Sequence, residues 1–162
     1  MVLYDFNTQQ TFNKDYPGFV KDVLGKKPFI LLVHAEWCGH CKHLMEGEKP
    51  WPTAVKANQS SDIVQIESKV FDHLKDKHPD LMFARLLTES VQGYPYIASV
   101  EANVPIDVSE ANLPSRTTKD LDAFIKAHTP KKKAKVANKS PTKTSTAKKT
   151  PVSKKKPIKK TK

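Results

Sequence analysis

A strand pattern that runs directly into two closely spaced cysteines constrains this 162-residue chain more than any other feature. Residues 29–33, Phe-Ile-Leu-Leu-Val, form a continuous apolar run of strand length, which is typical of a central strand covered by helices on both faces. Cys38 and Cys41 follow shortly after and open a helix-compatible stretch. Since the loop between them is too short to staple a fold, the pair is catalytic or metal-binding.

Helical and strand patterns alternate along the remaining sequence before residue 129. The patterns predict strands over residues 2–6 at a sheet edge, 63–66, 96–100 and 104–108, the last two as a hairpin, and helices over 15–24, 70–77, 81–87 and 119–128. We expect the first helix to stop at Gly25, and the last to be capped by Thr117 or Thr118. Pro50 and Pro52 would kink or interrupt the helix after the cysteines. An α/β fold follows.

The lysines divide the chain into two parts. Residues 130–162 hold 14 Lys and no Arg, Asp, Glu, Cys or aromatic residue. The whole chain has 28 basic and 17 acidic residues, so removing those 14 lysines leaves 14 basic against 17 acidic in residues 1–129, a net charge of −3. We therefore predict one folded domain over residues 1–128 and a disordered Lys-rich tail over 129–162, because the tail has almost nothing to bury.

The cysteine count and the N-terminus bear on location. No other cysteine exists to form a structural disulfide, which suits a reducing compartment. The first residues have neither the basic start nor the apolar run of a secretory signal, and no apolar stretch approaches the ~20 residues that span a bilayer. We expect an intracellular protein, cytoplasmic or nuclear, without membrane insertion.

The spacing of the two cysteines suits disulfide exchange. Cys38, in the first turn of a helix, would face unpaired backbone N–H groups that favour its thiolate. Cys41 would lie on the same helical face, where it can resolve a mixed disulfide. Gly39 would permit the tight turn, His40 would stabilise the thiolate when protonated, and Trp37 would pack beside the dithiol as a lid.

Residues 35–42, Ala-Glu-Trp-Cys-Gly-His-Cys-Lys, resemble the active site of the thioredoxin family, and Cys-Gly-His-Cys is its protein disulfide isomerase form. Residues 91–97, Val-Gln-Gly-Tyr-Pro-Tyr-Ile, resemble the segment in which that family holds a cis-proline against the dithiol. The resemblance implies a thioredoxin fold, a mixed central sheet flanked by helices, over roughly residues 1–128. It also implies a thiol–disulfide oxidoreductase, oxidase- or isomerase-like, acting on protein dithiols and disulfides.

The same resemblance implies roles for residues outside the cysteine motif. A cis Pro95 would present the backbone of Tyr94 as an edge to which an extended substrate can hydrogen-bond. Residues 115–121 resemble the arginine-bearing entry to the last helix of isomerase catalytic domains, which implies that Arg116 helps Cys41 to ionise.

Two positions depart from the family pattern. The family places a buried Asp or Glu six residues before the first cysteine, where this chain has Leu32, and a helix-kinking proline where this chain has Glu46. Without the carboxylate, we expect proton transfer at Cys41 to limit substrate release, unless water or Arg116 takes that part.

Two other kinds of function compete with catalysis. A Cys-x-x-Cys is often half of a zinc site, and His34, His40 and His43 lie close by, but tetrahedral zinc usually takes four ligands from two separated pairs. We therefore predict no metal and no cofactor. A thioredoxin-like domain can also act as a binding module without turnover, although such a module does not need both sulfurs.

The tail resembles the proline-broken basic repeats of linker-histone tails, as in residues 129–132, 140–143 and 150–154. Lysines on such a chain neutralise phosphates without reading bases, so we expect binding to nucleic acid, DNA first, or another polyanion. Alternatives are a nuclear address over 154–160, a solubilising tail, an anionic membrane surface or a nucleic-acid-associated structural protein. Disulfide chemistry and DNA meet in a DNA virus that assembles in the cytoplasm, so virion association is a further expectation. The expected polyanion-binding lysines are Lys131, Lys132, Lys133, Lys154, Lys155, Lys156, Lys159 and Lys160.

Overall fold

The computed structural model describes residues 1–46, 49–103 and 105–129. The strands are β1 (Leu3–Phe6), β2 (Phe29–His34), β3 (Asp62–Glu67), β4 (Tyr96–Glu101) and β5 (Asp107–Glu110). The helices are α1 (Gln9–Asp22), α2 (Gly39–Met45), α3 (Pro50–Ala57), α4 (Ser68–Lys77), α5 (Met82–Ser90) and α6 (Thr118–Ala127). The predicted disordered tail lies, from residue 130 onward, outside the described residues.

The five strands form one mixed sheet in the order β1-β3-β2-β4-β5. β1 and β2 run parallel to β3 on its two sides, β4 runs antiparallel to β2, and β5 runs antiparallel to β4. Every residue of β2 is buried, as a central strand covered on both faces requires. This confirms the predicted central strand, and β1 lies at the sheet edge as expected.

Side chains on the two faces of β2 enter two separate cores. Leu31 and Val33 join an aromatic-rich core built mainly with β1, α1, α4 and α5. Ile30 and Leu32 join a second core with α3 and α6. Trp51 plugs this second core, and its indole Nε1 donates a hydrogen bond of 2.6 Å to Oε1 of Gln65 on β3, which satisfies its buried polar atom.

The first helix is longer than predicted. We expected it over residues 15–24, but α1 begins at Gln9, because Thr8 and Thr11 satisfy each other's free backbone N–H groups in a capping box. The helix also ends earlier than predicted, at Asp22 with Val23 as its C-cap, and Gly25 follows with φ 69, a left-handed conformation that favours glycine.

Prolines and a threonine set other boundaries. α2 ends at Met45 and α3 begins at Pro50, a residue whose missing N–H costs nothing at a helix start, so the chain is interrupted as predicted. The side chain of Thr117 accepts from the backbone N–H of Asp120 and caps α6. Thr117 is therefore the N-cap of the two threonines considered.

The last strand lies later than predicted. We expected it over residues 104–108, but β5 spans Asp107–Glu110, because its antiparallel register pairs Val108 with Val100 and Glu110 with Ala98. Val104 lies outside the described residues. Within the described parts of the chain, no helix combines the length and the apolar composition needed to cross a membrane.

The aromatic core provides a test of the fold. Phe19 is fully buried and packs edge-to-face on Phe29 and Phe83, with ring centroids 5.4 and 5.0 Å away. Phe19→Ala should lower the free energy of unfolding by about 3–5 kcal/mol, because it leaves a cavity in a packed core. Val20 on the same helix is 38% exposed, and Val20→Ala should change this energy by less than about 0.5 kcal/mol. Urea titrations followed by circular dichroism measure both; equal losses would contradict this packing.

Candidate active site

Cys38 lies between the end of β2 and the start of α2. It is the N-cap residue of α2, with extended backbone angles, and its Sγ accepts a hydrogen bond of 3.3 Å from the backbone N–H of Cys41. An N–H group directed at the sulfur stabilises negative charge there. Both cysteines are free thiols, and their exposed fractions are 7% for Cys38 and 2% for Cys41.

The segment before β4 packs directly on this dithiol. The peptide bond between Tyr94 and Pro95 is cis, as the resemblance of residues 91–97 to the thioredoxin family implies. Sγ of Cys38 lies 3.7 Å from the carbonyl oxygen of Tyr94, and the Tyr94 side chain packs against Ala35 and both cysteines. The ring of Trp37 meets that of Tyr94 edge-to-face at 5.7 Å and is 71% exposed. Trp37 therefore lies beside the dithiol on the open surface.

The prediction that Gly39 is needed to permit a tight turn is wrong. Among the described glycines, Gly25 alone has a positive φ, so Gly39 needs no special backbone freedom, and a Cβ there would meet nothing within 4 Å. Its lack of a side chain keeps the surface beside Cys38 open. His40 is exposed in the first turn of α2, and its effect on the thiolate stays a prediction.

Arg116 reaches the site from the loop before α6. Its Nη2 donates a hydrogen bond of 3.4 Å to the carbonyl oxygen of Pro95, and its positive charge acts on Cys41. Burial raises the pKa of the Cys41 thiol to about 11, and the hydrogen bond and charge of Cys38 raise this pKa as well. A hydrogen bond from the Ala35 backbone and the Arg116 guanidinium lower it. Cys41 is therefore held as a thiol at neutral pH.

Six residues before Cys38, where the thioredoxin family has a buried carboxylate, this chain has an apolar side chain. Leu32 is fully buried in the second core and pairs in the sheet with Gln65. The amide of Gln65 accepts from Trp51 and donates to Asp5 at 3.1 Å, so it is engaged elsewhere. The structure thus bears out the placement of Leu32 that the sequence suggests.

Two buried polar residues lie near the site: His34, which sequence reasoning considered only as a possible zinc ligand, and Glu67, which it missed. They end the adjacent parallel strands β2 and β3 and are paired in register. Nε2 of His34 lies 3.2 Å from Oδ1 of Asn7, and the carboxylate of Glu67 accepts from Ser68 and from backbone N–H groups. The sequence feature that could have revealed both residues is a polar residue at the carboxyl end of an apolar strand.

The described ranges of the chain contain no group of three or more His, Cys, Asp or Glu side chains placed to hold a metal ion. The tail lysines predicted to bind a polyanion, in 131–133, 154–156 and 159–160, lie outside the described residues.

No family model and no curated protein sequence matches this chain. Among solved structures, it is similar to the crystal structure of ERdj5 form II, with 16% identity and a TM-score of 0.55, over 82% of this chain and 15% of that one. It is also similar to the crystal structure of the Trx4 domain of ERdj5, with 18% identity and a TM-score of 0.48, over 78% of this chain and 95% of that one. A third similar structure is the solution structure of the first thioredoxin domain of mouse protein disulfide-isomerase A4, with 21% identity and a TM-score of 0.48, over 76% of this chain and 72% of that one.

The similarity to ERdj5, together with the mixed five-stranded sheet between helices, confirms the predicted thioredoxin fold. The Cys-x-x-Cys at residues 38–41 fits a thioredoxin-like active site. This chain corresponds to 15% of the ERdj5 chain, so the likeness concerns one domain of that protein.

The effect of the Arg116 charge on the dithiol is testable through the Cys41 pKa. Cys38→Ala should lower that pKa from about 11, because the partner sulfur raises it. Arg116→Gln in the same background should raise the pKa again, because a stabilising positive charge is lost. Lys119→Gln removes another charge near the start of α6 and serves as the control. Ultraviolet thiolate absorbance against pH measures all three, and equal effects of Arg116→Gln and Lys119→Gln would contradict the assignment.

Proposed function

We propose that this protein is a thiol–disulfide oxidoreductase that exchanges disulfides with protein substrates through Cys38 and Cys41. The observation that carries the proposal is the position of Cys38 Sγ, which accepts the Cys41 N–H at 3.3 Å and lies 3.7 Å from the Tyr94 carbonyl. The Cys38 sulfur thus receives a backbone N–H group beside a backbone edge, and a second thiol lies within reach of it.

The arrangement supports a two-step exchange. The Cys38 thiolate attacks a substrate disulfide, forms a mixed disulfide and expels one substrate thiolate. Cys41 then loses its proton, attacks Sγ of Cys38 and expels the second substrate thiolate, which leaves a Cys38–Cys41 disulfide. Two electrons pass from the dithiol to the substrate, and the reverse sequence oxidises a substrate dithiol.

The surface beside Cys38 supports binding of an extended peptide. The backbone of Tyr94 offers polar groups next to the reacting sulfur, and a strand-like substrate can hydrogen-bond to such an edge. Trp37 stands exposed on one side. A cleft of about 310 Å³ adjoins Tyr94 and is lined also by Phe71, Asp72 and Lys75, among others, where a substrate side chain would fit.

The direction of electron flow follows from the reduction potential of the dithiol. Isomerase-type sites have reduction potentials of about −180 mV, and thioredoxin has one of about −270 mV. Equilibration of the dithiol with glutathione therefore distinguishes oxidase- or isomerase-like use from reductase use. We propose the first, on the Cys-Gly-His-Cys sequence. We further propose a reducing compartment, because the chain has no other cysteine for a structural disulfide. Glutathione there would keep the dithiol reduced, as isomerase-like use requires.

The order of attack gives the direct test. Cys41→Ser should trap mixed disulfides with substrate proteins, because Cys38 still attacks and nothing resolves the product. Cys38→Ser is the matched control and should trap little, since Cys41 is 2% exposed and held as a thiol. Non-reducing electrophoresis after incubation with a scrambled disulfide protein measures both. Trapping by Cys38→Ser instead would reverse the assignment, and a wild type that neither reduces insulin nor refolds that protein would favour a binding module.

We further propose that the Lys-rich tail tethers the enzyme to a polyanion, DNA first. Its support is the division of charge: residues 130–162 carry 14 lysines and no acid, whereas residues 1–129 have a net charge of −3. A row of cations without aromatic residues neutralises phosphates and reads no bases. Tail and dithiol would then act independently.

A salt titration tests the tether. If about half of the tail lysines engage duplex DNA together, log affinity should fall against log salt with a slope of about −6, with little sequence preference. Truncation after Thr129, whose hydroxyl donates to the carbonyl oxygen of Ile125 at 2.7 Å, should abolish binding and leave insulin reduction unchanged. Salt-sensitive binding by the truncated protein, or no DNA binding by the full chain at low salt, would overturn this proposal.

A further inference from the structure

A cavity lies beside Cys41, and Tyr94 is not among the residues that line it. Its volume is about 340 Å³, which is large enough for several water molecules. It is lined by His34, Ala35, Glu36, Cys41, Lys42, Met45 and Glu46. The cavity therefore joins the buried thiol of Cys41 to one buried imidazole.

The imidazole of His34 has one ring nitrogen that can accept a proton. The ring lies at the end of β2 and its residue is 8% exposed. Nε2 lies 3.2 Å from Oδ1 of Asn7, and because an amide oxygen only accepts, Nε2 carries a proton. In the neutral ring Nδ1 is then a proton acceptor. Within the described part of the chain, Asn7 is the one hydrogen-bond partner of this ring.

Burial keeps His34 neutral at physiological pH, despite the carboxylates around it. Burial lowers the pKa of the imidazole below its usual value, and the carboxylates of Glu67, Asp5 and Glu36 offset only part of that shift. Glu36 is itself paired with Lys69. The other charged groups that line the cavity are Lys42 and Glu46.

Resolution of a mixed disulfide requires the proton of Cys41 to leave. Burial alone favours the protonated thiol, even after Cys38 has been taken into a disulfide and no longer adds its charge. Leu32 cannot accept a proton, and a guanidinium such as that of Arg116 stays protonated. The carboxylate of Glu67 is buried and already accepts from Ser68, from the Lys69 N–H and from the Glu36 N–H, and it does not line the cavity.

We infer that His34 is the proton acceptor for Cys41, through water in the cavity that they share. As Sγ of Cys41 attacks Sγ of Cys38, its proton passes to Nδ1 of His34, the Cys38–Cys41 bond forms and the substrate thiolate departs. The imidazolium then gives the proton to that thiolate or to solvent. This inference rests on the proposed oxidoreductase function, and it assigns to His34 the part that Leu32 cannot take.

The two chemical steps can be timed separately with a chromogenic disulfide of thionitrobenzoate, supplied at one molecule per reduced dithiol. The first release of colour reports attack by Cys38, and the second reports attack by Cys41. Thionitrobenzoate leaves without being protonated, so the second phase reports the loss of the Cys41 proton. His34→Phe should leave the first phase unchanged and slow the second about 10- to 100-fold at neutral pH.

Three comparisons separate proton transfer from a structural effect. The deficit should shrink as pH rises towards the ionisation of Cys41, because solvent then removes the proton. His34→Gln keeps an amide that can donate to Asn7 but has no titratable nitrogen, so it should show the same deficit. His78→Phe, at an exposed histidine after α4, should behave as wild type in both phases. Circular dichroism establishes that each variant is folded.

A second phase at the wild-type rate in a folded His34→Phe or His34→Gln protein would overturn the inference. A deficit of the same size at every pH would also overturn it, since that pattern indicates displaced cysteines rather than a lost acceptor. A wild-type protein without a first phase would instead overturn the proposed function, so the two failures are distinguishable.

Discussion

The burial of β2 on both faces is the constraint on which the rest of this structure depends. Because the strand is covered on both sides, its alternate residues must divide between two cores, Leu31 and Val33 on one face and Ile30 and Leu32 on the other. The strand pairs with β3 and β4, so its position is fixed within the sheet as well. Its carboxyl end therefore delivers the following residues, including Cys38, to a defined place.

Segments that are distant in sequence meet there because of the sheet topology. β4 runs antiparallel to β2 and pairs Tyr96 with Val33, so the start of β4 lies beside the end of β2. This brings the Tyr94 carbonyl to Cys38, and the loop before α6 brings Arg116 to the Pro95 carbonyl. The site is thus assembled at one edge by strand directions, and its side chains act on a dithiol held by rigid elements.

The two sulfurs at this edge of the sheet have different surroundings. Cys38, which is 7% exposed, follows the exposed Trp37 and accepts a backbone N–H, whereas Cys41 is 2% exposed and protonated at neutral pH. A buried thiol needs a route for its proton. In the proposed mechanism, the cavity shared with His34 would supply that route.

The sequence by itself determined the central strand, the cysteine pair after it and the charge of the tail, because these follow from local composition and spacing. The cis bond at Pro95 was implied by the resemblance of residues 91–97 to the thioredoxin family. The sequence placed the start of α1 too late, since a threonine capping box precedes a polar first turn. Only the tertiary structure decided that His34 shares a cavity with Cys41 and that Gly39 needs no special backbone freedom. The first depends on which elements meet at the end of β2, and local sequence does not encode the distance between side chains from different elements. The second depends on the helical backbone that Gly39 adopts at the start of α2.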